Sequence, residues 1–175
     1  MFDGYKRFNI QNATFTLPFS LSLIRPYWPH LWRLLVPVSY EWDWDLGHQR
    51  LTVPLAYECD GASIPFVFYN IVDPITAIIG AFLHDMLYET QCGVRPLAGN
   101  PLLDAYGDPV LWTDDGRGRA DALLFNFWLA SGMSHAMAMK GYIGVRIGGE
   151  KPWEDEEMVP IPVKYEALVG DRVPS

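Results

Sequence analysis

Apolar and polar residues alternate along Val38-Ser39-Tyr40-Glu41-Trp42-Asp43-Trp44, the period-two pattern of a half-buried strand. Asp45-Leu46-Gly47-His48 supplies turn residues and Arg50 to Tyr57 reads as the return strand, so the pair predicts a hairpin. Pro54 inside the second run argues for an edge position or a bulge. Thr14-Phe15-Thr16-Leu17 reads as a further short strand. Asp60-Gly61-Ala62-Ser63-Ile64-Pro65, a loop of small and turn-forming residues, ends the β region. The period then lengthens to that of a helix. Asp73-Pro74 pairs an N-cap acceptor with proline at the first helical position. The helix should run to about Glu89, with Gly93 and Pro96 marking its end. Ile75, Ile78, Ile79, Phe82 and Met86 form its stripe, and nearly every face is apolar until His84, which predicts a central, buried helix.

Residues 91–118 are rich in Gly, Pro and Asp and read as a long irregular stretch, with Tyr106-Gly107-Asp108-Pro109 closing a small hairpin. A second helix should begin near Arg117, after an Asp114-Asp115 turn and cap, and reach about Ser131. Leu124, Phe125, Trp128 and Leu129 form its buried side. Ser134 can cap a third helix that continues to about Ile147 and stops at Gly148-Gly149. The expected fold is α+β: an N-terminal β-hairpin or small antiparallel sheet packed on a three-helix core, with extended arms at both ends. Residues 1–175 are read as a single domain, with 1–37 an N-terminal arm and strand, 38–148 the core and 149–175 a C-terminal arm that orders by docking.

Composition narrows the functional classes. Half of the 175 residues are hydrophobic and 14% are aromatic, which suits a packed globular chain. The formal net charge of −8 argues against nucleic-acid binding and against attraction to anionic membranes by charge alone. Two cysteines, Cys59 and Cys92, are too few for a disulfide framework or a cysteine zinc site and read most simply as buried reduced thiols. No signal peptide is visible, and the prolines at 18, 26, 29 and 37 break up the apolar stretch from Phe15 to Val38, so no transmembrane helix is expected. Virion and host cytoplasm are the expected locations. Leu31-Trp32-Arg33-Leu34-Leu35 is read as core or docking structure, with contact to a membrane or cell envelope as the alternative.

The candidate chemistry lies in His84-Asp85-Met86-Leu87-Tyr88 and Arg119-Ala120-Asp121. On a helix His84 and Tyr88 are four apart and project in neighbouring directions. Antiparallel packing of the next helix would bring Asp121 to His84, within roughly 2.6–3.2 Å. That offers a carboxylate holding an imidazole with a second carboxylate, Asp85, beside it. The same residues read equally well as a buried polar cluster that holds helices in register. Cys59 or Ser63 as a nucleophile beside His84 is a weaker reading, and His30, His48 and His135 lack metal-ligand spacing. Arg119 either pairs with a carboxylate of the site or sits in solvent.

The order DGASIP, HDxLY, RxxAD (Arg117 to Asp121) and then Tyr142-Ile143-Gly144-Val145-Arg146 resembles a domain-of-unknown-function family common in tailed phages and prophages, over roughly residues 38–148. Cys59 stands where many relatives have threonine, and 91–118 resembles an enlarged version of the family's loop. The resemblance implies a phage origin more firmly than an activity. More distantly, His84-Asp85-x-x-Tyr88 and Ala120-Asp121 with Phe125 are similar to the paired helices of phospholipase A2 domains. That likeness implies His84 as the base activating water, Asp121 orienting it, Tyr88 supporting it, and a calcium ion bound by Asp85 with the turn at Asp60 and Gly61. The loop departs from that pattern, with one glycine in Asp60-Gly61-Ala62 rather than a glycine-rich run. Two functions are therefore expected: a virion-associated structural or assembly protein of tail or baseplate type, partnered by other virion proteins, or a metal-assisted phospholipase-like or envelope hydrolase used in host penetration or lysis.

Overall fold

The computed structural model describes residues 4–25, 31–45, 47–60 and 74–154. A 3-10 helix at Gly4–Phe8 is followed by strands β1 (Gln11–Phe15), β2 (Leu21–Arg25), β3 (Leu31–Leu34), β4 (Val38–Trp44), β5 (Gly47–Val53) and β6 (Glu58–Cys59). Helices α1 (Pro74–Glu89), α2 (Gly116–Ala130), α3 (His135–Gly148) and α4 (Glu150–Glu154) complete the chain. The strands form two antiparallel sheets, ordered β1-β4-β5 and β2-β3-β6. The architecture is the expected α+β one, strands first and helices after. Among the described residues no helix is long and apolar enough to cross a membrane.

The period-two run predicted at Val38–Trp44 is β4, and Val38, Tyr40, Trp42 and Trp44 are all buried. It pairs with β5 from Val38↔Val53 to Trp44↔Gly47. The turn is tighter than Asp45–His48, because Gly47 and His48 already belong to β5. Gly47 takes a φ of +93°, a conformation its missing side chain allows. Pro54 lies just past the strand rather than inside it, as expected of a residue with no N–H to donate. Tyr40 and Trp42 stack on Phe127 of α2 with ring centroids 5.0 and 5.9 Å apart, and the Tyr40 hydroxyl donates to the Ile79 carbonyl of α1. The hairpin thereby closes one side of the helical core.

Within the N-terminal arm and strand, the described residues carry several short elements. They supply β1 to the hairpin sheet and β2 and β3 to the second sheet, with Phe8 and Leu34 in the core. Short strands with poor alternation gave little signal here; β1 carries a register shift between Gln11 and Thr14, with Asn12 at a φ of 51°. Leu31–Leu34 is thus a paired strand, with Trp32 packed against the core and Leu35 exposed just beyond it. Of the C-terminal arm, residues 150–154 form α4, and 155–175 lie outside the described residues.

Helices α1 and α2 run antiparallel. Trp128 Nε1 donates to the Ala77 carbonyl at 2.9 Å and Ser131 Oγ to that of Thr76 at 3.3 Å. The predicted caps are present: Asp115 accepts from the Gly118 amide and Ser134 from that of Met137. Helix α2 is even more enclosed than α1, because α1, α3, the 3-10 helix and β1 all pack on it. Residues 91–115 are irregular as expected, yet Trp112 lies against Trp44 at 4.6 Å, Val110 N–H bonds the Leu102 carbonyl, and Leu103 and Pro109 bridge around Gly107. Cys59 and Cys92 are both buried and not joined in a disulfide.

The α2–α3 contact depends on a missing side chain. A Cβ at Gly141 would sit 2.7 Å from Trp128 Cη2 and closer still to Cζ3. Trp128 is fully buried and cannot yield. Gly141→Ala should therefore lower the free energy of unfolding by about 1–3 kcal/mol, the usual cost of overpacking, against a near-neutral Ala136→Gln control at an exposed position of the same helix. Urea denaturation of both variants checks this.

Candidate functional site: a buried carboxylate among three helices

Antiparallel packing places α1 residue 84 opposite α2 residue 121. His84 Nε2 lies 2.9 Å from Asp121 Oδ1, and the Tyr88 hydroxyl donates to the same oxygen at 2.6 Å. Arg146 on the last turn of α3 donates from Nη1 to Asp121 Oδ2 at 2.8 Å. Arg117, one turn before Asp121 on α2, places Nε 4.0 Å from Oδ2 and donates from Nη2 to the Arg146 carbonyl at 2.7 Å. Asp121 is fully buried and His84 is 4% exposed. The imidazole and Tyr88 rings stack with centroids 4.1 Å apart. A side chain at Gly149, the C-cap of α3, would collide with the Tyr88 hydroxyl at 2.6 Å, so the cluster also needs that glycine.

Asp85 adjoins this cluster from the other side of the imidazole. Its Oδ1 is 3.6 Å from His84 Nδ1, an ion-pair separation too long for a hydrogen bond, and Nδ1 is buried with no hydrogen-bond partner. One turn on, Glu89 accepts from the Tyr57 hydroxyl at 2.8 Å. Of the residues proposed from sequence, His84, Tyr88, Asp121 and Asp85 come together. Asp60 follows β6 and is half-buried, while Gly61 and Ser63 lie outside the described residues. Among the described residues no group of three His, Cys, Asp or Glu side chains is arranged to hold a metal ion; of the calcium set implied by resemblance, Asp85 lies beside His84.

Arg119 does not enter the site. It stacks on Phe8 and Trp44, each 4.9 Å from its guanidinium carbon, and donates to the Asp114 carbonyl. Residues two apart on a helix face away from each other, and Arg117 is the one turned toward Asp121. Arg117 and Arg146 were the residues sequence reasoning missed. The available signals were the i,i+4 spacing of Arg117 to Asp121 and the arginine ending Tyr142–Arg146. His48 pairs with Asp43 at the surface, and His135 packs against Tyr5 and Phe125.

The electrostatics follow from this geometry. Burial alone would depress the His84 imidazolium, but the hydrogen bond to Asp121 and the nearby carboxylates of Asp121 and Asp85 outweigh it and carry its pKa from 6.5 up to about 9. Burial alone would raise Asp121, and its hydrogen bonds from His84, Tyr88 and Arg146 together with the His84 charge hold it below the ordinary carboxylate range. Burial raises Glu89, aided by the nearby charge of Asp85 and opposed by Tyr57. At neutral pH the cluster is thus a doubly charged pair, imidazolium on carboxylate, with two guanidinium groups behind it.

A family profile described as "Protein of unknown function (DUF1353)" matches residues 32–145 of the chain. The match takes in β3 to β6, α1, α2 and most of α3, and with them His84, Tyr88 and Asp121. No curated protein and no solved structure matches.

The charge state gives stability a defined pH dependence. His84 is raised in the folded state, so its contribution is complete below its unfolded value of 6.5 and is lost as pH rises through about 9. Asp121 is lowered, so its contribution is present above the unfolded value of 3.8 and is lost as pH falls toward its folded value. Denaturation midpoints should therefore peak between the two unfolded values. Unfolding free energy should drop by on the order of 3 kcal/mol between pH 6 and pH 9.5. His84→Gln should flatten that upper limb when both proteins are titrated in urea at each pH.

Proposed function

The chain belongs to the DUF1353 family, and we propose that it is a virion-associated structural or assembly protein of a tailed phage, of tail or baseplate type, in which the His84–Asp121 cluster is a lock between helices. The observation that carries this reading is the state of Asp121. It has no exposed surface, both oxygens accept hydrogen bonds from α1 and α3, and Arg117 of its own helix stands at ion-pair distance. A protonated imidazole already bound to a carboxylate has no lone pair with which to take a proton, which suits a fastener better than a base. The phage context rests on the order of the DGASIP, HDxLY and RxxAD motifs. The partners that fit are other virion proteins: the net charge of −8 disfavours nucleic acid, and Leu23, Ile24 and Leu35 leave apolar surface along the second sheet.

One observation favours the hydrolase reading. His84 uses Nε2 for Asp121, and its Nδ1 is partnerless beside Asp85. That is the polarity a histidine base needs, with one nitrogen oriented by a carboxylate and the other turned to the reacting proton. It requires neutral His84, and a cation held at Asp85 would favour that form.

A single variant separates the two. Under the structural reading His84→Ala costs about 3 kcal/mol, the low end for breaking a buried pair, because Arg146 still holds Asp121. The unaltered protein then shows no hydrolysis of mixed phosphatidylglycerol–phosphatidylcholine vesicles with or without calcium. Calcium-dependent release of fatty acid that His84→Ala abolishes at unchanged stability would establish the enzyme instead. Quantitative mass spectrometry of purified particles tests the virion assignment: fixed stoichiometry is expected, and absence of the chain from particles overturns it.

A further inference from the structure

The segment matched by the family ends at residue 145, and α4 follows four residues after it. This short helix returns the chain to the polar cluster. Trp153 stands edge to face on Tyr88, with ring centroids 5.0 Å apart. Its carbonyl accepts from Gln91 Nε2 at 2.8 Å, just past the end of α1. The indole also lies over Gly116, at the start of α2: a Cβ there would be 3.4 Å from Trp153 Cη2 and 3.4 Å from Cys92 Sγ. Trp153 therefore covers the place where Tyr88, Gly116 and the Cys92 thiol meet.

We propose that α4 is a removable cap on the His84–Tyr88–Asp121 cluster, with Trp153 as its seal. The fastenings are few. Among the described residues no residue of α4 is buried, one side-chain hydrogen bond reaches it, from Gln91 just past α1, and the Trp153 N–H bonds the Gly149 carbonyl at 3.2 Å. The cluster beneath is held by contacts that do not involve α4 at all, between His84, Tyr88, Asp121, Arg117 and Arg146. A lightly held segment over a strongly held one opens locally while the rest stays folded. Release uncovers Tyr88 and the Gly116–Cys92 surface, and a partner that presents its own aromatic side chain can take the place of Trp153. Capping thus makes access to the cluster conditional, whether the cluster acts as a lock or as a base.

Cys92 reports the opening directly, because its thiol is fully buried and donates to the Gly116 carbonyl at 3.2 Å under the cap. In a Cys59→Ser background the rate of Cys92 labelling by an aromatic disulfide reagent measures the open population. Trp153→Ala should raise that rate about tenfold, on the scale of losing one aromatic contact and its buried area, Gln91→Ala by less, and Trp153→Phe should restore most of the protection. The companion Cys92→Ser protein reads Cys59, buried in β6, as a monitor of global unfolding. Its labelling should not change on Trp153→Ala. An unchanged Cys92 rate overturns the cap, and so does an equal acceleration at Cys59. Neither outcome depends on the stability or hydrolysis readings of His84→Ala, so the cap and the proposed function fail separately.

Discussion

The packing of the helices turns on one buried charge. An ionised carboxylate with no water around it is costly unless every acceptor site is engaged. Asp121 of α2 meets that demand only if α1 and α3 are both in register with it, since its donors are His84 and Tyr88 on α1 and Arg146 on α3, with the Arg117 charge 4.0 Å away on its own helix. A slide of α1 by one turn would leave the carboxylate facing Gly80 or exchange His84 for Tyr88. Apolar contacts tolerate such slippage, and a buried ion does not. The charge thus contributes less to overall stability than to singling out one arrangement of an otherwise greasy set of helices.

Close approach is the second constraint, and it is met by absent side chains. Gly80 admits Leu124 and Trp128 from α2, Gly141 admits Trp128 from the other side, and Gly149 admits the Tyr88 hydroxyl. Trp128 is gripped between α1 and α3 while its Nε1 bonds the Ala77 carbonyl. The polar cluster at one end of α2 and this tryptophan at the other fix both ends of the same helix. The hairpin sheet then seals the remaining side through Tyr40 and Trp42 on Phe127, with Trp112 of the long irregular stretch closing over Trp42 and Trp44.

What was legible in the sequence was what depends on local rules. The limits of β4, the start of α1 at Pro74 and the caps at Asp115 and Ser134 follow from periodicity and from side chains bonding their own backbone. The meeting of His84 and Asp121 followed from a single topological assumption, that successive helices pack antiparallel. The second sheet was not legible, because β2, β3 and β6 span at most five residues each and β3 pairs with β6 across more than twenty residues of chain. Arg146 escaped for the same reason: nothing near residue 146 announces a carboxylate 25 positions earlier. The choice of Arg117 over Arg119 needed the phase of α2, which turns on one residue of cap placement.

The charge on the imidazole was the furthest from reach, and it bears most on what the site does. An HD pair beside a tyrosine is written alike for a base and for a fastener. The difference lies in how many carboxylates the imidazole faces and whether anything competes for them. Here His84 lies between Asp121 and Asp85, which favours the imidazolium, while Arg146 and Arg117 share Asp121 and limit how far that carboxylate alone can raise it. Asp85 is the second support of the imidazolium, after Asp121, whose hydrogen bond is the largest contribution raising it. It is also the more exposed of the two, with 18% of its side chain accessible against none. Removing the Asp85 charge would leave the Asp121 pair intact and take away one of the two supports. The lock and the base proposed for this site thus differ in the charge that His84 carries, and that charge answers to both carboxylates, the enclosed one first.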